Sequence, residues 1–205
     1  MASTRLALCR PIYRTVEGES DLSFARLVRH EMARGTHVEI LGSIGSMISW
    51  ARSALATEAV KLGCHSILWV DSDMVFHEDA AEHLLGTGKP YIGANCLYRD
   101  GTAFTAKRDG QEVVTYRSST GIEVVDELGF GLTLTDCSLF TVMERPWFDV
   151  IEAQGHKLGE DYYFAMKCRE QNVLPWISHD LSKRVGHLGT ARYIGCAEDL
   201  PDAVS

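Results

Sequence analysis

Apolar positions along the first half of the chain alternate between short buried runs and stretches with helical spacing, and the change of period marks the elements. Thr4 to Cys9 reads as a first strand, which Arg10-Pro11 is expected to end, because proline lacks a donor and pushes the preceding residue out of helix. After a loop with Tyr13 and Arg14, the residues Leu22, Ala25, Val28 and Met32 recur at helical spacing behind Ser20 and Asp21, and Gly35 stops that helix. Thr36 to Leu41 reads as a second strand. From Ser46 onward, Ile48, Ala51, Leu55, Ala59 and Leu62 mark one face of a second helix, closed by Gly63 as a left-handed cap. Ile67 to Val70 is a short, bulky run and reads as a strand buried on both faces. Strand, helix, strand, helix, strand within seventy residues predicts a parallel sheet with crossover helices.

The second half has another rhythm. A short helix over Ala80 to Leu85 and a strand over Tyr91 to Asn95 are followed by Phe104 to Lys107, Glu112 to Tyr116 and Ile122 to Val125, which read as antiparallel ribbons between Gly and Asp turns. Leu132 to Leu134 predicts a strand, Ser138 to Met143 a short helix, Glu160 to Gln171 a helix and Val173 to Ile177 an extended segment. The tail from Gly195 is expected to be loose. No internal repeat or low-complexity linker interrupts the chain, so 205 residues are expected to form one domain.

The apolar run at 67–70 ends in Asp71-Ser72-Asp73. In extended backbone, residues i and i+2 project to one side, so two carboxylates there converge on one cation, and hard oxygen ligands suit magnesium or manganese. The plainer alternative is an Asp-rich turn that caps the helix beginning near Glu78. Ligands on parallel sheets bind beyond the carboxyl ends of the strands, where these acids lie.

Composition narrows the function classes. Apolar residues at 45% and charged residues at 23% fit a folded globular chain. A net charge of −8 argues against general polyanion binding, which depends on Lys and Arg. Six cysteines without a C-x-x-C pair or zinc-ligand spacing read as small buried hydrophobes in a reducing compartment. Leu6 to Cys9 is too short for a signal-peptide core, and no stretch approaches membrane-spanning length. A cytoplasmic protein without membrane insertion is the expectation.

Three further motifs accompany the aspartates: Gly129-Phe130-Gly131-Leu132, which permits close backbone approach, Gly159-Glu160-Asp161, which opens a helix with two acids, and Gly186-His187-Leu188-Gly189, one histidine between glycines. In order and spacing these four segments resemble the GT-A class of glycosyltransferases, nearest to the short stand-alone family-2-like members of phage and bacterial genomes, over residues 4 to 194. The resemblance implies a GT-A-like α/β fold, with a Rossmann-like, mostly parallel nucleotide-binding half over about residues 1–98, a mixed and antiparallel acceptor half over 99–194, and a tail over 195–205. It implies that Asp71, Asp73 and His187 hold Mn2+ or Mg2+ on the diphosphate of a nucleotide sugar, a UDP-sugar first among donors. Arg10, Pro11, Tyr13, Arg52, Asp71, Ser72 and Gly131 then bind the donor. Asp161 acts as general base on the acceptor hydroxyl, with Glu160 in support.

Each assignment has a plainer counterpart. His187 alone would be a hydrogen-bonded structural histidine, as the other seven, such as His65, His77 and His179, are expected to be. Glu160 and Asp161 would merely favour a helix N-terminus through its dipole, which also predicts that Asp161 stays ionised near neutral pH. Pro11 and Tyr13 would be turn residues, Arg52 an exposed helix charge, and Trp147 core rather than a sugar platform. The rival enzyme class is the haloacid-dehalogenase-type phosphatase, which Asp-Ser-Asp-Met-Val also resembles, with Asp71 as covalent nucleophile; that family carries the motif on its first strand. A nucleotidyltransferase would want a Gly-rich basic loop where Arg10 to Gly18 stands, and a non-catalytic binding module would need no acids at 160 and 161. The resemblance to phage members, which would act in a host cytoplasm, brings in hydroxymethylated pyrimidines of DNA as acceptor, with Arg99, Lys107, Arg108, Lys183 and Arg184 as a local basic patch. Saccharide and protein acceptors, hexosyl or pentosyl transfer, inversion or retention and oligomeric state stay open.

Overall fold

A computed structural model describes residues 4–45, 47–153, 156–189 and 192–194; Ser46 and the predicted tail fall outside them. The chain runs β1 (Arg5–Ile12), α1 (Gly18–Ala33), β2 (His37–Ile44), α2 (Ile48–Lys61), β3 (Ser66–Val70), β4 (Met74–Val75), α3 (Ala80–Gly86) and β5 (Tyr91–Gly93). It continues with β6 (Lys107–Arg108), β7 (Gln111–Glu112), β8 (Ile122–Val124), β9 (Leu132–Asp136), α4 (Leu139–Val142), β10 (Ile151–Ala153) and β11 (His156–Leu158). Last come α5 (Glu160–Glu170), β12 (Trp176–Ser178), α6 (His179–Ser182), β13 (Gly186–Leu188) and β14 (Arg192–Ile194). The main sheet has seven strands in the order β2-β1-β3-β9-β5-β12-β8. β1 pairs in parallel with β2 and with β3, as two strand-helix-strand crossovers require. All five residues of β3 are buried, and Gly63 adopts a φ of +70° after α2, so the predicted left-handed cap is present.

Two expectations for this half need correction. β1 does not end at Pro11 but pairs with β2 through Ile12, because of where proline's missing donor points. The Thr4 carbonyl accepts from His37 of β2 and the Arg5 carbonyl from His65 on the β3 side, so odd residues face β3. The β1–β3 register stops at Cys9↔Trp69, and at Pro11 no strand is there to miss the N–H. The buried face of α1 is Ser20, Ser23, Phe24, Leu27 and Glu31, while Leu22 and Met32 are exposed. Polar side chains earn burial there through hydrogen bonds: Arg10 donates to Ser20 Oγ at 2.6 Å and Thr36 to Glu31 Oε2 at 2.8 Å, a gain no apolar count registers.

In the back half β9 runs antiparallel to both β3 and β5, which it separates, and β12 runs parallel to β5 and antiparallel to β8. A second sheet, β14-β13-β4, and the ribbons β6-β7 and β10-β11 complete it. The main sheet has a core on each face. One gathers Leu6, Leu8, Phe24, Leu27, Leu68 and Val70; the other gathers Ala7, Cys9, Leu55 and an aromatic cluster that includes Trp69, Tyr91, Phe130 and Phe164. Trp147 belongs to this second core, its indole N–H donated to Met143 O at 3.0 Å. The five described cysteines are buried and unpaired. No helix among the described residues is long and apolar enough to cross a membrane.

Candidate active site

The carboxyl end of β3 is held by its antiparallel neighbour, since Asp71 N donates to Gly131 O at 3.0 Å. Beyond it the backbone turns, Met74 N reaching Asp71 O at 3.3 Å, so Asp71 and Asp73 are not two residues of one extended strand. They diverge onto different cations. Nor does either cap the next helix, whose N-cap position is Asp79.

Asp71 Oδ1 accepts from Arg52 Nη2 at 2.9 Å, and Arg52 Nε donates to Glu160 Oε1 at 3.1 Å. Arg52 is 2% exposed, not a surface charge. The small residues Ser49, Ala56 and Ala59 of its helix face leave room for the guanidinium, whose centre lies 5.0 Å from the Phe130 ring. Burial works against its charge, but Asp71, Glu160 and Asp161 together raise its pKa. Burial likewise raises that of Asp71, which Arg52 only partly offsets.

Asp73 Oδ2 lies 3.2 Å from His187 Nε2. The pairing of β13 with β4 brings this about, setting His187 opposite Met74. His187 Nδ1 donates to Leu97 O at 2.8 Å, which fixes the ring and turns Nε2 toward the carboxylate. Arg99 Nε stands 3.7 Å from Asp73 Oδ2 and donates to Leu188 O at 3.2 Å. Burial opposes ionisation of both partners, yet hydrogen bonding and charge win: His187 is held above its usual range and Asp73 below its own. A Cβ at Gly189 would collide with Arg99 O, so the second glycine of the motif admits this backbone crossing. Gly129 and Gly131 serve close approach too, against Thr105 and against Met74 and Cys96, which is internal packing.

Among the described residues no three His, Cys, Asp or Glu side chains form a closed cage for an ion. The donor set nonetheless fits a hard divalent cation that arrives with a diphosphate. Such ions take one or two carboxylates and complete their shell with phosphate oxygens and water, and Asp73 with an oriented imidazole provides an open start.

Beside these acids a cleft of about 170 Å3 is lined by Pro11, Ile12, Tyr13, Gly45, Ile48, Ala51, Asp71, Ser72 and Asp73. It is smaller than the roughly 300 Å3 at which enclosed ligand sites begin, so it would cover part of a ligand. Pro11, Tyr13 and Ser72 thus meet the acids, and Glu17 N ties their loop to Ser72 O at 3.1 Å. Arg10 does not join them. Alternation along β1 sends it to the α1 face, where it is 5% exposed, bound to Ser20 and Asp21 and 4.8 Å from the Phe24 ring centre.

At the start of α5 the two acids differ. Glu160 is tied to Arg52, whereas among the described residues Asp161 Oδ1 accepts from its neighbour's N–H, Tyr162 N, at 2.9 Å. Burial, then the charge of Glu160, pushes the pKa of Asp161 up to about 7. The helix dipole, worth a fraction of a kcal/mol, is thus outweighed by desolvation, and Asp161 titrates near neutral pH instead of staying fully ionised there.

Sequence reasoning missed Tyr98, Tyr162 and the carbonyl of Leu97, for which no local signal exists; Arg52's burial had one, a single arginine among small residues on an inward helix face. The basic patch does not stand free. Arg99 faces Asp73, Lys107 faces Glu127, Arg108 faces Glu123, Lys183 faces Asp180 and Arg184 faces Asp79. Of the remaining histidines, His65 accepts from Arg5 N, His77 pairs with Asp79, and His179 bridges Thr115 and Glu123, all structural contacts.

The sequence matches no protein family and no curated protein. Among solved structures the chain is similar to A197 from STIV, with a TM-score of 0.65 at 15% identity over 98% of this chain and 97% of that one, a likeness of fold. It is also similar to a glycosyltransferase involved in the glycosylation of the major capsid of PBCV-1, with a TM-score of 0.37 at 11% identity over 69% and 68% of the two chains.

Proposed function

We propose that this chain is a metal-dependent glycosyltransferase of GT-A type that moves a sugar from a nucleotide-diphosphate sugar to an acceptor hydroxyl. The observation that carries the reading is the Asp73–His187 pair, an acid and an oriented imidazole 3.2 Å apart beyond the carboxyl ends of parallel strands. Asp73 and His187 would hold Mn2+ or Mg2+, and Asp71 would join them on leaving Arg52. The ion's contribution when bound is to neutralise charge on the departing diphosphate. Pro11, Tyr13 and Ser72 receive the nucleotide, a UDP-sugar by preference. Asp161, once ionised, takes the proton of the acceptor hydroxyl. Glu160, held by Arg52, is a positioning residue rather than a second base.

The phosphatase alternative expects its nucleophile after the first strand of the fold, whereas Asp71 follows β3, behind two strand-helix units. The deciding experiment is a panel of nucleotide sugars with manganese, scored for slow donor hydrolysis without acceptor. Hydrolysis of one donor that stops with chelator is the expected outcome. A phosphorylated Asp71 trapped by mass spectrometry, with turnover of simple phosphomonoesters, would overturn it.

A further inference from the structure

Leu97, Tyr98 and Arg99 lie on a turn, Tyr98 N donating to Ala103 O and Gly101 N to Tyr98 O, each at 2.8 Å. Leu97 holds His187 through its carbonyl and Arg99 faces Asp73, so Tyr98 is flanked by the anchors of the donor side. Its own hydroxyl lies 2.8 Å from that of Tyr162, the residue after Asp161. Tyr98 therefore ties the turn that contacts His187 and Asp73 to the first turn of α5, which carries the proposed base. Tyr162 gives its one phenolic proton to Thr105 O at 2.9 Å, so the proton between the two phenols comes from Tyr98. The lone pairs of the Tyr98 oxygen stay available, on a side chain that is 39% exposed. An aromatic face joined to a hydroxyl acceptor is neutral and amphipathic, as is a sugar ring with its C–H face and hydroxyls. The neighbouring cations are engaged: Arg99 by Asp73 and Leu188 O, Arg108 by Glu123 at 2.7 Å, and Lys107 by Glu127 at 3.6 Å with its ammonium over the Tyr162 ring. Each cation's charge is already offset by a carboxylate, which lowers what a phosphate backbone would gain there and costs a neutral saccharide nothing.

We infer that Tyr98 is an acceptor-binding residue and that the acceptor is a carbohydrate hydroxyl; this rests on the glycosyltransferase reading. The test measures transfer to neutral oligosaccharides and to hydroxymethylated duplex DNA beside acceptor-free donor hydrolysis, in the wild type, Tyr98→Phe and Tyr98→Ala. The expected result is transfer to a saccharide, insensitive to salt, with the ratio of transfer to donor hydrolysis lowered on the order of tenfold in Tyr98→Ala and less in Tyr98→Phe, which keeps the ring. Transfer to DNA alone, falling steeply with salt, would overturn the inference, as would an unchanged ratio in Tyr98→Ala. Absence of donor hydrolysis would sink the glycosyltransferase reading instead. Saccharide binding by saturation-transfer NMR then decides the remaining claim: loss in Tyr98→Ala supports it, and no binding to the wild type refutes it.

Discussion

The two acid pairs of the site, at the end of β3 and at the start of α5, have nearly the same composition and opposite electrostatics. Asp73 meets a histidine and an arginine and its pKa is lowered, while at Asp161 burial and the charge of Glu160 outweigh a backbone N–H and the more distant Arg52, and its pKa rises to about 7. Between them Arg52 serves one acid of each pair. A carboxylate's role is set by how many cations the fold brings to it. On the proposed reading, Asp73 at the β3 end keeps charge ready for a cation, and Asp161 at the α5 start holds its proton until it acts.

The comparison breaks first at Asp161. As the base, Asp161→Asn should fold, bind donor with near-normal affinity and lose transfer by about 10²–10⁴. kcat beside donor affinity in the same variant decides this, and near-normal turnover would return Asp161 to a structural role. Arg52 comes next. Arg52→Met leaves Asp71 and Glu160 without their buried cation and should cost about 3–5 kcal/mol of stability, read from denaturant midpoints. A change well under 1 kcal/mol would mean that the two acids do not depend on it. On the β3 side, Asp73→Asn and His187→Ala should each weaken manganese-supported donor binding by roughly 10–100-fold in calorimetry. Undiminished affinity in both variants with excess chelator would remove the metal from this end.

The smallest effect is in pH. Transfer should rise as Asp161 loses its proton and level off above about pH 7. Stability runs the other way. An ordinary aspartate titrates near 3.8, so between that value and about 7 the folded chain binds a proton that the unfolded chain has released. The stability this group contributes is therefore full below about pH 4 and declines as pH rises to 7. Unfolding curves of the wild type and Asp161→Asn across pH 4–8 should show a steeper decline in the wild type than in the variant, which keeps the raised pKa values of Asp71 and His187; parallel curves would contradict the raised pKa of Asp161.

Local pattern carried much of the front half: the buried run at 67–70, the left-handed cap at Gly63 and the buried Ala51, Leu55 and Ala59 of α2 follow from period and from glycine's freedom, while Ile48 of the same predicted face is exposed. It failed where burial is polar, as on α1, and where a neighbour's length decides, as at Pro11. In the site, motifs marked the four acids and His187 as residue types. Which acid meets which cation depends on contacts of Arg52 across 19 and 108 residues, and no period in the chain encodes those.

The placement of β9 also governs the order in which the molecule can assemble. β2, β1 and β3 can pair as soon as they leave a ribosome, but the second edge of β3, with Trp69 and the N–H of Asp71, waits for residues 131–136. Pairing across so long a separation is slow, so the aspartate turn is among the late parts to set during synthesis. A fragment ending at Tyr98, where the proposed nucleotide and acceptor halves meet in sequence, would leave that edge bare. It should aggregate or bind a hydrophobic dye rather than fold, and a soluble, cooperatively melting fragment would show that the halves are separable after all.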